Sequence, residues 1–348
     1  MFVHSHVPMY KQIIRPILFC FKPETAHKLY LSLVRVSGYF PGRFLVRMTH
    51  GYSDPSLQRN VFGLDFQNPV GLAAGFDSNG DRFNELANFG FGFLELGSLS
   101  PEPQDGGQKP RMLRFKKEKA IVNRVEARNK GVRYAIDRIQ TRRPDSVLCA
   151  NITYDAASRK DDEITNDYQK AFSLLYDFVD MFTISVSRPN ADGLLEVQDR
   201  NSLSDIIDPL LELRLCYEQY KPVLIKISPD TPFEQLDEMI DYCMLSGVDG
   251  VVAGDTSRHI EVLNKHSVKA GYLSGAPLFE RSLSVVKHIH EHTKGRFPII
   301  GCGGITSPEK AAEMLSAGAS LIQVHTGLVY EGPKLVKKIL KYLVNHPS

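Results

Sequence analysis

Short apolar segments without polar alternation recur along the chain from residue 68 onward. Most of them are rich in β-branched residues, and turn residues follow each one. Strands of this character are buried on both faces, as in a parallel sheet that helices cover on both sides. The eight segments are Val70–Ala74, Phe93–Gly97, Val147–Ile152, Phe182–Val186, Val223–Ile227, Gly250–Ala253, Pro298–Gly301 and Leu321–Val324.

Helical patterns separate most of these predicted strands, for example over Thr231–Leu245 and Ser307–Ala317. Eight strands with intervening helices predict an α/β fold, the (β/α)8 TIM barrel. Enzymes with this fold place their chemistry at the C-terminal ends of the strands. The residues that follow the predicted strands are therefore the candidate site residues.

Polar residues near these strand ends predict a ring around one mouth of the barrel. Lys226 is its most informative member, because a lysine inside an apolar strand is costly to bury unless an anion or an electron-rich ring meets it. The alternative is a structural lysine that reaches the rim or forms an ion pair. The ring comprises Ala73, Ala74, Gly75, Ser98, Asn123, Asn151, Ser187, Arg188, Pro189, Asn190, Lys226, Asp255, Thr256, Ser274 and Gly275.

The segment from residue 297 to residue 332 contains two apolar strands, each followed by a turn and the start of a helix. The strand ends Gly301–Gly304 and His325–Gly327 would lie side by side and direct backbone N–H groups toward one point. Such groups near a helix N-terminus bind phosphate, and glycine lets the backbone approach the anion closely. A phosphate site fits the last two βα loops of a barrel, and a tight strand-to-helix turn is the alternative.

Residues 9–50 differ in character from the rest of the chain. Two short helical patterns, Tyr10–Phe21 and Pro23–Arg35, are apolar on one face and basic on the other, and Pro41-Gly42 is expected to close the unit. The predicted division is an N-terminal helical pair, residues 1–50, and the barrel, residues 51–348. The pair either plugs an end of the barrel or lies among the headgroups of a membrane, where it would admit a lipid-soluble ligand.

Composition limits the classes of partner. The 348 residues carry a formal net charge of +2 without a long block of like charge, so nucleic acid is not an expected partner. Five scattered cysteines without a C-x-x-C pair indicate buried thiols, with neither disulfides nor a metal site. Without a signal peptide or an apolar run of about 18 residues, the chain is expected in the cytoplasm or at a membrane surface.

Seven motifs follow one another in an order that is specific to one protein family. They are Asn68-Pro-Val-Gly-Leu-Ala-Ala-Gly-Phe-Asp, Glu95-Leu-Gly-Ser, Lys109-Pro-Arg-Met-Leu-Arg, Val122-Asn-Arg, Ile225-Lys-Ile-Ser-Pro-Asp, Leu273-Ser-Gly-Ala-Pro-Leu and the segment 297–332. From about Met9 onward the chain resembles the dihydroorotate dehydrogenase family, specifically its membrane-associated, quinone-using class (class 2). The resemblance implies FMN-dependent oxidation of dihydroorotate to orotate in pyrimidine biosynthesis, with quinone as acceptor, at the inner membrane face.

The same resemblance implies roles for individual residues. Ala74 and Gly75 would lie along the isoalloxazine ring of FMN, and Ser98 and Asn151 would hydrogen-bond to it. Lys226 would face the N1/O2 edge of the ring, where a cation stabilises the anionic reduced flavin. The other implied cofactor residues are Thr256 and, around the ribityl phosphate, Gly275, Gly304, His325 and Thr326.

In the class that the chain resembles, two N-terminal helices form the entry tunnel for quinone. The corresponding residues here are His27 and Arg114. The resemblance therefore favours a membrane surface as the partner of residues 9–50.

The substrate side departs from the family pattern. The loop after the fourth strand reads Asn-Ile-Ser-Ser-Pro-Asn in the family, and its second serine is the base that takes a proton from dihydroorotate. Here the loop reads Ser185-Val-Ser-Arg-Pro-Asn, so Arg188 occupies the base position. A guanidinium stays protonated and is not itself a base, which makes Ser187 the candidate substitute.

Further changes fall on other positions around the substrate. Ser78 stands where the family has a lysine that pairs with the substrate carboxylate, and Glu126-Ala127 replaces a Gly-Phe pair. Of four asparagines that surround orotate in the family, Asn123 and Asn190 remain. The predicted substrate residues are Ser78, Asn123, Ser185, Asn190 and Asp255.

Three hypotheses remain open. The first is an FMN oxidoreductase of this family, acting on dihydroorotate with altered chemistry or on a different substrate, such as another carboxylate held by Arg188. The second is a binding or regulatory flavoprotein that is silent on dihydroorotate. The third is a phosphate-binding barrel outside redox chemistry, which the combination of Lys226 and Asn151 argues against.

Overall fold

Eight parallel strands close into a barrel in the computed structural model, which describes residues 9–124, 128–155, 157–158, 160–186, 200–263 and 270–347. The strands of the described residues, inside and outside the barrel, are β1 Arg59–Val61, β2 Leu64–Phe66, β3 Val70–Leu72, β4 Phe93–Leu99, β5 Met112–Phe115, β6 Ala120–Asn123, β7 Val147–Ile152, β8 Met181–Ser185, β9 Val223–Ile227, β10 Gly250–Ala253, β11 Tyr272–Gly275, β12 Ile299–Cys302 and β13 Leu321–Val324. The barrel order is β3-β4-β7-β8-β9-β10-β12-β13, and β13 pairs with β3 to close it. Each predicted strand is present with ends within two residues of the prediction, so the predicted TIM barrel is confirmed.

Helices alternate with the barrel strands and also form an N-terminal unit. A π-helical turn, Tyr10–Ile14, leads into the first of them. The helices are α1 Arg15–Phe19, α2 Pro23–Val36, α3 Gly42–His50, α4 Phe83–Ala87, α5 Gly131–Thr141, α6 Asp161–Leu175, α7 Arg200–Arg214, α8 Phe233–Ser246, α9 Phe279–Thr293, α10 Pro308–Ser316, α11 Thr326–Glu331 and α12 Lys334–Asn345. None of the helices within the described ranges has the length and apolar character needed to cross a membrane.

Alternation along β9 explains how the barrel holds a charged residue. Val223, Ile225 and Ile227 belong to the large core that the strands share with the helices, whereas Leu224 belongs to a second core inside the barrel. Successive side chains of a strand point to opposite faces, so Lys226 lies on the inner side with Leu224. The inner face of β9 is therefore apolar at its start and charged toward its C-terminal end.

The hairpin of β1 and β2 packs against the inner core of the barrel. Phe66 of β2 is buried, and its ring meets the ring of Phe93 edge-on at a centroid distance of 5.4 Å. Gly71 of β3 makes room for this pair, since a Cβ at that position would lie 2.2 Å from the Phe93 ring. Aromatic packing therefore fills the barrel at the start of its strands.

Two features differ from the sequence prediction. The Pro41-Gly42 pair does not close the helical unit, because α3 begins at Gly42; proline suits the start of a helix, where its fixed φ is favourable. A separate antiparallel sheet also forms, with the strand order β11-β6-β5. Asn123 and Gly275 lie on this sheet, so the prediction that placed them at the ends of barrel strands is wrong, and Arg114 lies on the same sheet.

Polar contacts attach the N-terminal helical turn to the end of the barrel chain. The Tyr10 hydroxyl donates a hydrogen bond of 2.8 Å to the carbonyl of Val329. The Glu331 carboxylate pairs with two ammonium groups, those of Lys11 and Lys119. Because the Glu331 side chain is only 10% exposed, water screens these ion pairs less than surface pairs. The first and last parts of the described chain are thus held together.

All five cysteines are free thiols, as the sequence predicts. Cys149, Cys243 and Cys302 are buried, and burial raises the pKa of the Cys149 thiol well above its usual range. Cys20 and Cys216 are exposed, so the prediction of buried thiols is wrong for these two residues. Scattered spacing alone does not distinguish a buried thiol from a thiol on the outer face of a helix.

The unfolding free energy is expected to fall below pH 6.5 because of His50. Burial and the charges of Lys334 and Lys337 lower the pKa of His50 to about 4. An unfolded histidine titrates near pH 6.5, so the unfolded state binds more protons between about pH 6.5 and 4, and stability is lost as pH falls through this range. Glutamine does not titrate, so His50→Gln should make this fall in the unfolding free energy smaller. The expected difference is about 1 to 2 kcal/mol after a discount for partial exposure. Urea denaturation at pH 7 and pH 4.5 measures it, and an equal change in His346→Gln, at an exposed residue, would contradict the assignment.

Candidate active site

A cavity of about 810 Å³ lies at the C-terminal mouth of the barrel. Its wall includes barrel strand ends, the three-stranded sheet and helices α1 and α2, so the N-terminal helices lie over this mouth. A cavity of this size holds a cofactor or a drug-sized ligand. The predicted site residues on its wall are His27, Ala74, Gly75, Ser78, Ser98, Arg114, Asn123, Ser185, Lys226, Asp255, Thr256, Gly275, Gly304, His325 and Thr326.

Ala73 and Ser274 of the predicted ring also line the cavity, whereas Asn151 does not. Asn151 is fully buried, and its Nδ2 donates a hydrogen bond of 2.7 Å to the Glu95 carboxylate. It therefore lies in the layer of polar side chains behind the wall. The predicted residues outside the described ranges are Ser187, Arg188 and Asn190, together with Glu126 and Ala127 of the changed motif.

Glycine turns form the predicted phosphate end of the cavity. Gly304 has a φ of +66°, and a Cβ there would lie 2.5 Å from the backbone of Phe279. Gly275 has a φ of +106°, and a Cβ there would lie 2.3 Å from the carbonyl oxygen of Lys119. These turns follow β12 and β11, while Thr326 follows β13, the neighbour of β12. Backbone without side chains thus approaches one end of the cavity, as phosphate binding requires.

Lys226 places a buried cation in the cavity wall, only 5% exposed. Burial disfavours the charged ammonium, but the negative charges of Glu95 and Asp255 outweigh it and raise the pKa of Lys226 above its usual range. The side chain therefore stays protonated at neutral pH. A fixed cation of this kind stabilises negative charge on a neighbouring ring or anion.

A buried network includes Glu95 and Gln323, two residues that were not among the predicted site residues. The carboxylate accepts hydrogen bonds from Asn151 Nδ2 at 2.7 Å, from Gln323 Nε2 at 2.5 Å and from the N–H of Ala74 at 3.3 Å. Gln323 lines the cavity and is 1% exposed. The signal that identified Lys226, a charged residue inside an apolar strand, applies equally to Glu95 in β4.

Arg114 joins the three-stranded sheet to helix α1. Its Nη2 donates to the carbonyls of Phe19 at 3.2 Å and Phe21 at 2.9 Å, and the guanidinium carbon lies 3.9 Å from the centroid of the Phe19 ring. These carbonyls belong to the C-terminal end of α1, where a cation is favourable. The Nε of Arg114 is buried and has no partner among the described residues. Arg114 thus anchors α1 and keeps one donor for a ligand.

The imidazole rings of His27 and His325 both contact the ring of Phe76 at a steep angle. The centroid of Phe76 is 5.2 Å from that of His27 and 5.6 Å from that of His325. Burial lowers the pKa of both histidines, that of His325 to about 4 with the charges of His27 and Lys226 contributing. Both imidazoles are therefore neutral at pH 7, and His27 Nε2 lies 2.9 Å from the carbonyl oxygen of Phe76, to which it donates. An aromatic row thus leads from helix α2 to the end of β13.

Two of the predicted substrate residues bond to neighbouring backbone groups. The Ser78 hydroxyl donates to the carbonyl of Gly75 at 3.3 Å, and the Asp255 carboxylate accepts from the N–H of Thr256 at 2.8 Å. Both residues line the cavity. This part of the wall therefore carries a hydroxyl and a carboxylate.

A sequence profile described as dihydroorotate dehydrogenase matches residues 56–346. The chain belongs to the dihydroorotate dehydrogenase family. The dihydroorotate dehydrogenase (quinone) of Christiangramia forsetii is 40% identical over 333 residues, which cover 95% of this chain and 97% of that protein. The protein of the same name from Coxiella burnetii is 37% identical over 343 residues, covering 96% and 97%.

Solved structures of the same family share the fold. The ligand-free dihydroorotate dehydrogenase of Eimeria tenella superposes with a TM-score of 0.84 at 30% identity, covering 93% of this chain and 94% of that one. The complex of the Eimeria tenella enzyme with ferulenol gives a TM-score of 0.81 at 27% identity, covering 94% of each chain. The similarity therefore extends over the N-terminal helices as well as the barrel.

Dihydroorotate dehydrogenases are FMN-dependent flavoproteins, and the cavity fits this cofactor. Glycine backbone lies at the predicted phosphate end, and the Lys226 cation lies in the wall. Behind and within the wall, Asn151 Oδ1 and Gln323 Oε1 are buried without a partner among the described residues. Buried acceptors of this kind call for N–H or O–H donors, which the flavin ring and the ribityl chain possess. The residues present therefore match FMN.

Replacement of Gly304 by alanine is expected to weaken FMN binding. The added Cβ meets the Phe279 backbone in a left-handed turn, so the loop must move. Loss of one charge-assisted hydrogen bond to the phosphate costs about 1.5 to 3 kcal/mol, or roughly ten- to a hundredfold in dissociation constant. Quenching of FMN fluorescence on titration measures this. Gly247→Ala is the matched control, because Gly247 also has a positive φ, +90°, but its added Cβ meets nothing within 4 Å; equal losses in both variants would contradict the phosphate assignment.

Proposed function

We propose that this chain oxidises dihydroorotate to orotate with bound FMN and passes the electrons to a quinone, the reaction that serves pyrimidine biosynthesis. The observation that carries the proposal is that one cavity contains both a flavin cradle and a wall formed by two N-terminal helices. A phosphate-binding barrel outside redox chemistry would not need a buried cation and an apolar helical entrance at the same place.

FMN supplies the redox chemistry when it is bound, since it accepts a hydride and releases electrons. The glycine turns at Gly275 and Gly304, with Thr326, hold the phosphate end. Lys226 supplies a fixed positive charge to the pyrimidine edge of the ring, supported by its burial and by the two carboxylates that keep it protonated. Ala74 and Gly75 give the ring a flat, small-residue surface, and Ser98 and Thr256 lie on the same wall.

The quinone enters between α1 and α2 in this proposal. The free Nε of Arg114 is a donor for a quinone carbonyl, and the neutral imidazole of His27 lies on the same wall. Apolar residues of both helices, among them Leu18 and Leu31, exclude water from the entrance. A lipid-soluble acceptor would thus reach the flavin end without crossing bulk solvent.

The helices α1, α2 and α3 form the membrane-contacting surface in this proposal, which places the protein at the inner membrane face. These helices and the residues that flank them, from Met9 to Met48, carry most of the large apolar side chains that are exposed within the described residues. Soluble proteins rarely expose so many together, and basic residues flank them as they do in interfacial helices. The exposed residues are Met9, Ile13, Ile17, Phe21, Leu29, Leu33, Val36, Tyr39, Phe40, Phe44, Leu45 and Met48.

For the substrate half of the reaction, Ser187 takes the role of base that Arg188 cannot perform, and Asn123 and Asn190 bind the ring of dihydroorotate.

A specific observation favours a second candidate, a flavoprotein of the same family that acts on a different substrate or on none. Asp255 places a carboxylate in the cavity wall, and Ser78 supplies no cation to a substrate carboxylate. Repulsion of an acidic substrate would follow unless Arg188 compensates.

An anaerobic titration separates these candidates. Dihydroorotate added to the FMN-loaded protein should bleach the flavin absorbance, and a short-chain ubiquinone added afterwards should restore it. If dihydroorotate does not bleach the flavin but quinone restores the absorbance after reduction by dithionite, the second candidate replaces the first. Failure of both steps in a protein that binds FMN would rule out the quinone reaction as well.

Membrane attachment is expected to depend on the exposed apolar residues of the N-terminal helices. The double variant Ile17→Ser/Phe44→Ser removes two side chains that are 57% and 58% exposed. Burial of such a side chain contributes about 1.5 to 3 kcal/mol, so vesicle binding should fall by roughly a hundredfold or more. Co-sedimentation with lipid vesicles measures the loss. The control is Leu215→Ser/Leu245→Ser, at residues that are each 82% exposed and lie outside these helices, and a similar loss there would contradict the assignment.

A further inference from the structure

The acceptor-only chemistry of Glu95 fixes the orientation of two amides. An ionised carboxylate can accept hydrogen bonds but cannot donate them. The groups that meet it at 2.7 Å and 2.5 Å must therefore be the NH₂ groups of Asn151 and Gln323. Their carbonyl oxygens consequently point away from Glu95. An amide beside a hydroxyl or another amide would have no such fixed orientation.

Strand order explains why one carboxylate reaches both amides. Asn151 lies on β7, the neighbour of β4, whereas Gln323 lies on β13, which is separated from β4 by β3. The intervening chain after β3 is Ala73-Ala74, and the N–H of Ala74 also donates to Glu95 at 3.3 Å. Small residues there leave the interior space that the Glu95 and Gln323 side chains share.

The two carbonyl oxygens lack partners although they are buried. Gln323 Oε1 and Asn151 Oδ1 have no hydrogen-bond partner among the described residues, and the two side chains are 1% and 0% exposed. Leaving a buried acceptor unpaired costs about as much as a lost hydrogen bond. Gln323 lines the cavity, so a donor that enters the cavity can pair with it. The site is thus built to receive an N–H group.

We infer that Gln323 recognises the imide N–H of the flavin ring and that Glu95 is the positioning residue that holds Gln323 ready to accept it. This inference rests on FMN as the cofactor of the proposed function. The imide N–H is the single N–H group of the oxidised isoalloxazine ring, and Gln323 Oε1 is a buried acceptor without a partner among the described residues. Glu95 acts through Gln323 and need not touch the cofactor.

The test compares FMN with N3-methyl-FMN, which lacks the imide proton. N3-methyl-FMN is added to the purified FMN-loaded protein in competition with FMN. The exchange equilibrium gives, for each variant, the ratio of the dissociation constant of N3-methyl-FMN to that of FMN. The wild-type protein should prefer FMN by roughly ten- to a hundredfold, the value of a buried hydrogen bond whose loss leaves a group unpaired. If Gln323 or Glu95 had a purely structural role, its replacement would weaken the binding of both compounds equally and leave the ratio unchanged.

Three variants and one control complete the design. Gln323→Met keeps the volume but removes the acceptor, so the ratio should fall close to one. Glu95→Gln lets the Gln323 amide reverse, so the ratio should fall at least threefold. The double variant should give the ratio of Gln323→Met alone, because Glu95 acts through Gln323. Leu321→Met is the control, a volume-conserving change at a buried residue of the same strand, and should keep the wild-type ratio.

Each outcome decides one point. A wild-type ratio in Gln323→Met would overturn the recognition of the imide group. A wild-type ratio in Glu95→Gln, or a further fall on adding it to Gln323→Met, would overturn its positioning role. Should Glu95→Gln fail to fold, Gln323→Met alone still decides whether the glutamine reads the flavin. A wild-type protein that binds neither compound would instead refute the cofactor of the proposed function, and with it this inference.

Discussion

Two opposite charges inside the barrel govern the rest of the site. Transfer of Glu95 and Lys226 from water into the interior costs several kcal/mol for each ion, and apolar residues would serve the fold as well or better. The cost is offset by three hydrogen bonds to the carboxylate and by the attraction between the two charges. Loss of Lys226 would remove the attraction that offsets burial of Glu95, and loss of Glu95 would leave Lys226 with the smaller contribution of Asp255. Residues of several barrel strands are therefore needed to hold these two charges inside the barrel.

Sequence patterns predicted the barrel well because its strands are buried on both faces and its glycine turns have steric requirements. They failed where the signal is ambiguous or long-range. The Pro41-Gly42 pair suits a helix start and a helix end alike, and the pairing of β11 with β6 joins segments about 150 residues apart. Lys226 stood out as a charge in an apolar strand. Asn151 is predicted to hydrogen-bond to the flavin ring, and its second contact, the bond from its NH₂ group to Glu95, could not be read from spacing.

The two ends of the cavity hold their residues in different ways. The cofactor end combines glycines that steric contacts leave little freedom to change with a cation held by neighbouring carboxylates. The side predicted to bind the substrate carries Asp255 and Ser78, which bond to backbone groups one and three residues away along the chain. Replacement of Ser78 would therefore disturb fewer neighbouring groups than replacement of a glycine at the cofactor end.

Contacts between the two ends of the chain have a consequence for the order of assembly. Tyr10 bonds to Val329, and Arg15 bonds to the carbonyl of Tyr330 at 2.9 Å, while β13 closes the barrel against β3. The wall of the cavity is therefore incomplete until β13 and the residues up to Tyr330 have been synthesised. Cofactor loading must follow synthesis of this segment, so free flavin could not load a nascent chain that is stalled before β13.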